Sequence, residues 1–482
     1  MTDWYPSHTM VVSYPKIIQG GMGVAISNWH LARTVSMLGQ LGVVSGVALE
    51  ILLVRRLQDG DVGGHIRRAL EKFPFRDMAR RALEKYYIPG GKAEDKAYAA
   101  IPMHKQMASK RLHELCILGN YVEVFLAREG HDRPVGINYL EKIQLPHLPS
   151  VYGAMLAGVA YVIMGAGIPT QIPGVLDRFS QHQPASYALN IVGSQNGNDN
   201  LTRFDPRDFM EGDHPPLERP RFFPIIASNV LATTMVRRSN GSIDGFVIEG
   251  PTAGGHNAPP RGQLQVNERD EPIYGERDVV DLDKIRELGL PFWVAGGCAS
   301  AEKLREVLEI GGNGIQVGTA FALCNDSGMA DEYRKALLQK AVAGTAHVVT
   351  DRLASPTGFP FKVAQLEGSL SEEDVYLSRT RVCDLGYLRE LYWKEDGSLG
   401  YRCPSEPVEI YIAKGGSETD TIGRKCICNC LVSNAGHPQI QRDGSVEKPM
   451  LTCGDDLAEI ARFIPEGQTS FTARDVIDKL LA

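Results

Sequence analysis

Short apolar runs, each followed by glycine, proline or asparagine, recur along the chain. They fall at residues 17–18, 41–45, 134–139, 159–164, 222–227, 245–248, 291–295 and 314–317. Between most of them lie segments with apolar residues three and four positions apart, clearest at 29–38, 151–157, 230–238, 282–288 and 301–310. Parallel strands buried on both faces are continuously apolar, and their alternation with helices is typical of an α/β fold. Eight such strands predict a closed TIM (β/α)8 barrel.

Two stretches depart from this rhythm. Residues 50–130 are rich in Arg, Lys, Glu, Leu and Ala at helical spacing, which predicts a helical insertion. Residues 183–220 are polar and rich in proline, so they form either a lid over the barrel mouth or a solvated loop, and 187–192 could be a ninth strand.

The chain therefore divides into four parts. Residues 1–49 and 131–330 form the predicted barrel, 50–130 the insertion, and 331–482 a C-terminal extension that ends in a helix over 473–481. Apolar helices within the insertion could form an interface in a homo-oligomer.

Composition narrows the class of protein. The 482 residues carry a net charge of −7, so an overall basic surface for nucleic acid is absent. No apolar stretch reaches the roughly 18 residues of a membrane helix. The N-terminus has no apolar secretory core, and nine cysteines are too few for a disulfide scaffold, so we expect a cytoplasmic protein with reduced thiols and no nucleic-acid or membrane partner.

Glycine follows the last two predicted strands. Gly296 and Gly297 come directly after the seventh strand, and Gly318 and Thr319 after the eighth. Glycine turns let backbone N–H groups converge on an anion, and the loops after strands seven and eight are the usual phosphate site of a TIM barrel. The pattern predicts a phosphate-binding site, with a plain tight turn as the alternative.

Other candidates for chemistry also lie at strand ends. His256 follows Gly254 and Gly255 after the sixth strand, where an imidazole could exchange protons with a ligand. After the first strand, Gly21 and the soft side chain of Met22 suit contact with a planar group. Asn138, after the third strand, offers a hydrogen-bond donor and acceptors.

These motifs, in this order and at barrel spacing, resemble the nitronate monooxygenase (2-nitropropane dioxygenase) superfamily. That group also contains the flavin-dependent enoyl-ACP reductases. The resemblance covers roughly residues 15–50 and 134–325, and it rests on segments 17–22, 135–138, 249–256, 294–297 and 316–319.

The resemblance implies an FMN-binding barrel. By matched motif, Gly296, Gly297, Gly318 and Thr319 would hold the FMN phosphate. Gly21 and Met22 would lie along the isoalloxazine ring, while Asn138 and Gln316 would hydrogen-bond the cofactor, and His256 falls at the catalytic histidine. The remaining cofactor-binding positions would be Glu249, Gly254, Gly255 and Val317.

The chain departs from the family pattern at several positions. Glu249 stands where many members have Gln, Thr252 replaces a Glu, and residues 257–262 are rich in proline. The 50–130 insertion and the long C-terminal part exceed the compact monooxygenases. These additions suggest a large or carrier-bound substrate, although a small molecule remains open.

Three functions follow from this resemblance. The first is oxidation of a nitronate or similar carbanion by O₂, with His256 as base. The second is reduction of an enoyl thioester by NAD(P)H through FMN. The third is a non-catalytic scaffold that contains a flavin or a metal.

The C-terminal extension concentrates the cysteines. Cys426, Cys428 and Cys430 would share one face of a strand, and Cys403 or Cys453 could complete a zinc or iron–sulfur site. Metal sites more often use two-residue gaps, so we expect small buried thiols and assign no metal ligands. For Cys298, beside the predicted phosphate turn, we expect a packing role rather than a reactive thiolate.

Overall fold

A parallel eight-stranded barrel forms the centre of the protein. The computed structural model describes residues 14–193 and 200–482. The barrel strands are β1 (Ile17–Gln19), β2 (Gly42–Ser45), β3 (Val135–Leu140), β4 (Tyr161–Gly165), β8 (Arg221–Ile226), β9 (Phe246–Glu249), β10 (Phe292–Ala295) and β11 (Gly314–Val317). Their order in the sheet is β1-β11-β10-β9-β8-β4-β3-β2.

Hydrogen bonds between the ends of this sheet close the barrel. Gln19 N donates to Leu41 O at 2.9 Å, and Leu41 N donates to Ile17 O at 3.1 Å. All eight strands lie where the apolar runs predicted them, and the TIM-barrel prediction is confirmed.

Large side chains fill the barrel interior. Ile18, Ile163, Phe223 and Trp293 are fully buried there, and the rings of Phe223 and Trp293 stack with centroids 5.0 Å apart. Trp293 Nε1 donates to Pro15 O at 2.8 Å. The barrel is therefore a packed core rather than a pore, and open space lies beyond the carboxyl ends of its strands.

Helices surround the barrel and continue into the extension. They are α1 (Trp29–Met37), α2 (Leu49–Gln58), α3 (His65–Leu70), α4 (Arg76–Tyr86), α5 (Lys110–Arg128), α6 (His147–Leu156), α7 (Ile172–Ser180), α8 (Asn229–Arg238), α9 (Leu282–Arg286), α10 (Ala301–Glu309), α11 (Thr319–Ala322), α12 (Asp331–Val342), α13 (Glu373–Leu377), α14 (Val408–Ala413), α15 (Ile427–Asn434) and α16 (Ala473–Leu481). Segment 50–130 contributes most of α2 and all of α3, α4 and α5; α5 leads directly into β3. Within the described ranges, no helix is both long and apolar enough to cross a bilayer.

Segment 183–220 adds small strands outside the barrel. These are β5 (Ala185–Ala188), β6 (Ile191–Val192) and β7 (Leu201–Phe204), with β5 paired antiparallel to β7. The suggested ninth strand over 187–192 is thus split between β5 and β6 and does not join the barrel sheet. Residues 194–199 of the suggested lid lie outside the described residues.

The C-terminal extension packs over the carboxyl end of the barrel. Its strands are β12 (Val348–Asp351), β13 (Phe361–Ala364), β14 (Glu390–Trp393) and β15 (Leu399–Arg402), and β14 also pairs with β6. The expected strand at Cys426–Cys430 is wrong, because this stretch begins helix α15. Apolar residues at 427, 431 and 432 support that helix, and its three cysteines therefore do not share a face.

Candidate active site

A cavity at the carboxyl ends of the barrel strands brings all the predicted site residues together. It is lined by Gly21, Met22, Asn138, Glu249, Gly254, Gly255, His256, Gly296, Gly297, Gln316, Val317, Gly318 and Thr319. Because parallel strands end at one rim, residues distant in the chain converge there.

The turn after β10 depends on glycine. Gly296 has φ 91° and Gly297 has φ 61°, in the left-handed region that other residues rarely adopt. A Cβ on either glycine would also lie 3.1 Å from Thr252 Oγ1. Thr252 therefore packs directly against the predicted phosphate turn, in the position where the family pattern has a glutamate.

The loop after β1 is held by buried polar groups. Gln19 Nε2 donates to Ser27 Oγ at 2.8 Å, and Ser27 Oγ donates to Gly20 O at 2.8 Å. Met22 N in turn donates to Ser27 Oγ at 2.9 Å. The side chain of Asn28 caps the first turn of α1, so the Ser27 hydroxyl is not needed for capping and instead holds the loop after β1.

Gly21 lies against Asn138 at the same wall. A Cβ on Gly21 would come within 2.3 Å of the Asn138 Cβ, so only glycine fits there.

His256 is fixed by the extension. A hydrogen bond of 2.7 Å joins its Nε2 to Ser355 Oγ, and its ring meets Phe361 edge-on with centroids 4.8 Å apart. The backbone on either side pairs with β13, since Lys362 N donates to Gly255 O and Asn257 N to Pro360 O, each at 2.9 Å. Burial, with a smaller contribution from Lys142, lowers the pKa of His256 to about 3. The imidazole is therefore neutral near pH 7, because burial disfavours its protonated form.

Two further ionisable groups share the electrostatic surroundings of His256. Burial raises the pKa of Glu249 to about 7, against the opposing effect of Lys142. Burial likewise lowers the pKa of Lys142 to about 7, against the charges of Glu141 and Glu249. Among the described residues, Lys142 Nζ has no hydrogen-bond partner, and it lies over the Phe359 ring, 3.1 Å from the ring centroid. Such perturbed groups cluster at functional sites, and sequence reasoning missed Lys142 because an isolated lysine carries no motif.

The extension also contacts the predicted phosphate region. Gly454 N donates to Thr319 Oγ1 at 2.9 Å, and the Asp456 carboxyl accepts a hydrogen bond from Thr319. Burial raises the pKa of Asp456, which favours its neutral form beside an anion site. Burial raises the pKa of the Cys298 thiol to about 11, which favours the protonated thiol over the reactive thiolate near pH 7.

The residues present fit FMN. Gln316 Oε1 is buried on the cavity wall and lacks a hydrogen-bond partner among the described residues. Leaving a buried hydrogen-bond acceptor unpaired costs free energy of folding. A planar ligand that presents an N–H donor, such as the isoalloxazine ring, would satisfy this acceptor. Gly296 and Gly297 provide the turn for its phosphate at the same rim.

A second, more open cavity adjoins the first. It has a volume of about 630 Å³ and shares Ile143, Tyr387 and Leu388 with the active-site cavity. Lys142 and Phe359 also line it, together with residues 189–192 of the polar excursion. The two cavities are therefore neighbours, separated by these shared side chains.

The fold is a TIM barrel whose carboxyl rim carries glycine turns and a buried histidine. Residues 222–354 match the family model described as nitronate monooxygenase. The chain is 34% identical to a nitronate monooxygenase of Pseudomonas aeruginosa over 30% of its own length and 41% of that protein. It is 28% identical to the nitronate monooxygenase of Paraburkholderia phytofirmans over 33% of its length and 42% of that protein. These matches confirm the resemblance to the nitronate monooxygenase superfamily over part of the barrel.

Two further comparisons extend this result. A carboxyl-CoA dehydrogenase of Mycobacterium tuberculosis, acting on a hydroxy-methyl-oxo-octahydroindene substrate, is 31% identical over 26% of this chain and 30% of that protein. The solved structure of FabK from Thermotoga maritima aligns with a TM-score of 0.48 and 16% identity, over 97% of this chain and 92% of that one. The chain thus spans less than half the length of the curated relatives named here.

Proposed function

We propose that this oxidoreductase uses FMN to oxidise a nitronate or a similar carbanion with O₂. The observation that carries the proposal is a neutral histidine, His256, on the wall of a cavity whose other walls fit a flavin. When bound, FMN supplies the redox chemistry with the substrate and oxygen. The chain itself binds the substrate, holds it beside the imidazole and moves its proton.

The proton step follows from the surroundings of His256. In the tautomer whose Nε2–H donates to Ser355 Oγ, the free lone pair lies on Nδ1, which can take the acidic carbon proton of a nitroalkane and so form the nitronate. The resulting imidazolium keeps its hydrogen bond to Ser355. Lys142 lies close enough to Glu249 and His256 to influence both electrostatically, so its charge favours an anionic substrate such as a nitronate.

A variant at His256 tests this proposal. We expect His256→Ala to keep its FMN but to lose about 10²- to 10⁴-fold in turnover of a nitroalkane substrate, the usual contribution of a general base. His30→Ala, at an exposed helical position, is the control and should retain full activity. Full activity of His256→Ala would exclude the base role, and purified protein that neither contains nor takes up FMN would exclude the cofactor.

The adjoining cavity favours a second candidate, reduction of an enoyl thioester by NAD(P)H. Its volume of about 630 Å³ could accept an acyl chain or the arm of a carrier. Anaerobic mixing separates the two functions. Bleaching of the flavin by NADPH and its recovery on adding an enoyl thioester would support the reductase, whereas bleaching by a nitronate alone would support the oxidase.

A further inference from the structure

Four cysteines from three segments surround one small cavity in the C-terminal extension. Cys383 lies between α13 and β14, Cys403 directly follows β15, and Cys426 and Cys428 lie at the start of α15. All four line the same cavity, which is otherwise bounded mainly by apolar side chains such as Val382 and Leu385. The fold therefore gathers thiols that are up to 45 positions apart in the sequence.

These thiols are unoxidised and enclosed. None of the nine cysteines, all of them in the described part of the chain, forms a disulfide. Cys403 and Cys426 are 6% and 8% exposed, and a hydrogen bond joins the Cys383 and Cys403 thiols. Enclosed thiols around a common space form a donor set for a soft metal centre.

Backbone N–H groups point at the sulfurs. The amides of Tyr387 and Leu388 donate to Cys428, and those of Ser405 and Asn429 donate to Cys403 and Cys426. Hydrogen bonds of this kind stabilise thiolates in metal centres and tune iron–sulfur clusters.

The spacing of the sulfurs distinguishes between metal centres. Thiolates on one tetrahedral zinc lie about 3.8 Å apart, given Zn–S bonds of about 2.3 Å. No three of these four sulfurs lie within 4.8 Å of one another. Among the described residues, three ligand atoms that close together are found at Glu50, His104 and Cys116. Thiolates that bind separate irons of one cluster lie farther apart, so the Cys383 and Cys403 thiols, which share a hydrogen bond, would have to move apart when a cluster binds.

We propose that Cys383, Cys403, Cys426 and Cys428 bind an iron–sulfur cluster with four irons. The two other cysteines of the C-terminal motif, Cys430 and Cys453, do not line this small cavity and are therefore not assigned as ligands. This proposal stands independently of FMN, although Leu388, Ile427 and Cys428 line both cavities and would place the cluster beside the active site.

Metal and sulfide analysis of the full chain tests the proposal. The protein is produced with added iron, purified without oxygen, and reconstituted with ferrous iron and sulfide. We expect about four irons and four acid-labile sulfides per chain, and an electron paramagnetic resonance signal after reduction. Iron and sulfide both absent after reconstitution would overturn the proposal, and so would stoichiometric zinc without sulfide.

Single variants assign the ligands. We expect Cys383→Ser, Cys403→Ser and Cys426→Ser each to lose at least about tenfold in bound iron. Cys430→Ser and Cys324→Ser, at buried cysteines outside the cavity, are the matched controls and should keep the full content. Equal iron loss in the controls would overturn the assignment, and circular dichroism together with FMN content identifies variants that fail to fold. The iron and sulfide content of the wild-type protein tests the proposal even if every ligand variant unfolds.

Discussion

His256 and Ser355, ninety-nine positions apart, are joined side chain to side chain at 2.7 Å. Ser355 lies between β12 and β13, and Arg424 anchors its segment by donating to Ser355 O at 2.6 Å and to Leu353 O at 2.8 Å. The orientation of the predicted catalytic base is thus set from outside the barrel.

Removal of this hydroxyl should therefore slow turnover. We expect Ser355→Ala to lower kcat about fivefold, because one hydrogen bond that orients the imidazole contributes about 1 kcal/mol. Ser378→Ala, on the exposed end of α13, serves as control. Steady-state kinetics normalised to flavin content measure the effect, and an unchanged kcat would show that Ser355 does not position His256.

Glu249 should make stability depend on pH. Its folded pKa of about 7 exceeds the ordinary 4.5, so the folded state retains a proton that the unfolded state releases between these values. Burial of Glu249 is therefore increasingly unfavourable as pH rises from 4.5 to 7. Glu249→Gln should raise the free energy of unfolding by about 2 kcal/mol at pH 8, a value reduced for solvent screening because Glu249 borders the cavity. At pH 4.5 the same substitution should change the free energy of unfolding by almost nothing.

Urea unfolding at both pH values checks this prediction. Glu268→Gln, at an exposed position, should show no such dependence. A stabilisation by Glu249→Gln that is equal at both pH values would contradict the assigned titration.

Lys142 should show the dependence expected of a buried amine. Its folded pKa of about 7 lies below the ordinary 10.5, so the cost of burying its charge is complete below pH 7 and fades as pH rises to 10.5. Lys142→Met should stabilise the fold by about 2 kcal/mol at pH 6 and by less at pH 9. Thermal unfolding at both pH values is the measurement, with exposed Lys72→Met as control. A larger gain at pH 9 than at pH 6 would be inconsistent with a buried ammonium.

Asp456 should oppose the FMN phosphate. Its carboxyl lies beside Thr319, and ionisation there places like charges together. Asp456→Asn should bind FMN about tenfold more tightly at pH 8, equivalent to about 1.4 kcal/mol, and the difference should shrink as pH falls and more of the carboxyl is protonated. Flavin fluorescence titration measures the affinity, with exposed Asp478→Asn as control. Weaker binding by Asp456→Asn would mean that the carboxyl helps to hold the cofactor.

The barrel could be predicted from sequence because its signals are local. Runs such as Phe292–Ala295 are buried on both faces and end in glycine, so strand and site appear side by side in the sequence. Closure at one rim then brings the strand-end residues together without further information.

The contributions of the extension could not be predicted in this way. Ser355, Asp456 and Cys383 reach their partners through contacts between distant segments, which leave no local pattern. The prediction that Cys426, Cys428 and Cys430 share one face was wrong, because alternate residues share a face in a strand but not in a helix. Lys142 follows a correctly predicted strand, yet its unpaired burial is a property of the packed structure.

Because the extension supplies Phe361, Ser355 and Asp456 while the barrel supplies His256 and the glycine turns, the reactive chamber exists only after the two have docked. A shortened chain that stopped after α12 could retain the barrel architecture and still be inert. Changes in the extension can accordingly alter both the surroundings of His256, through Ser355 and Phe361, and the rim beside Thr319, through Asp456.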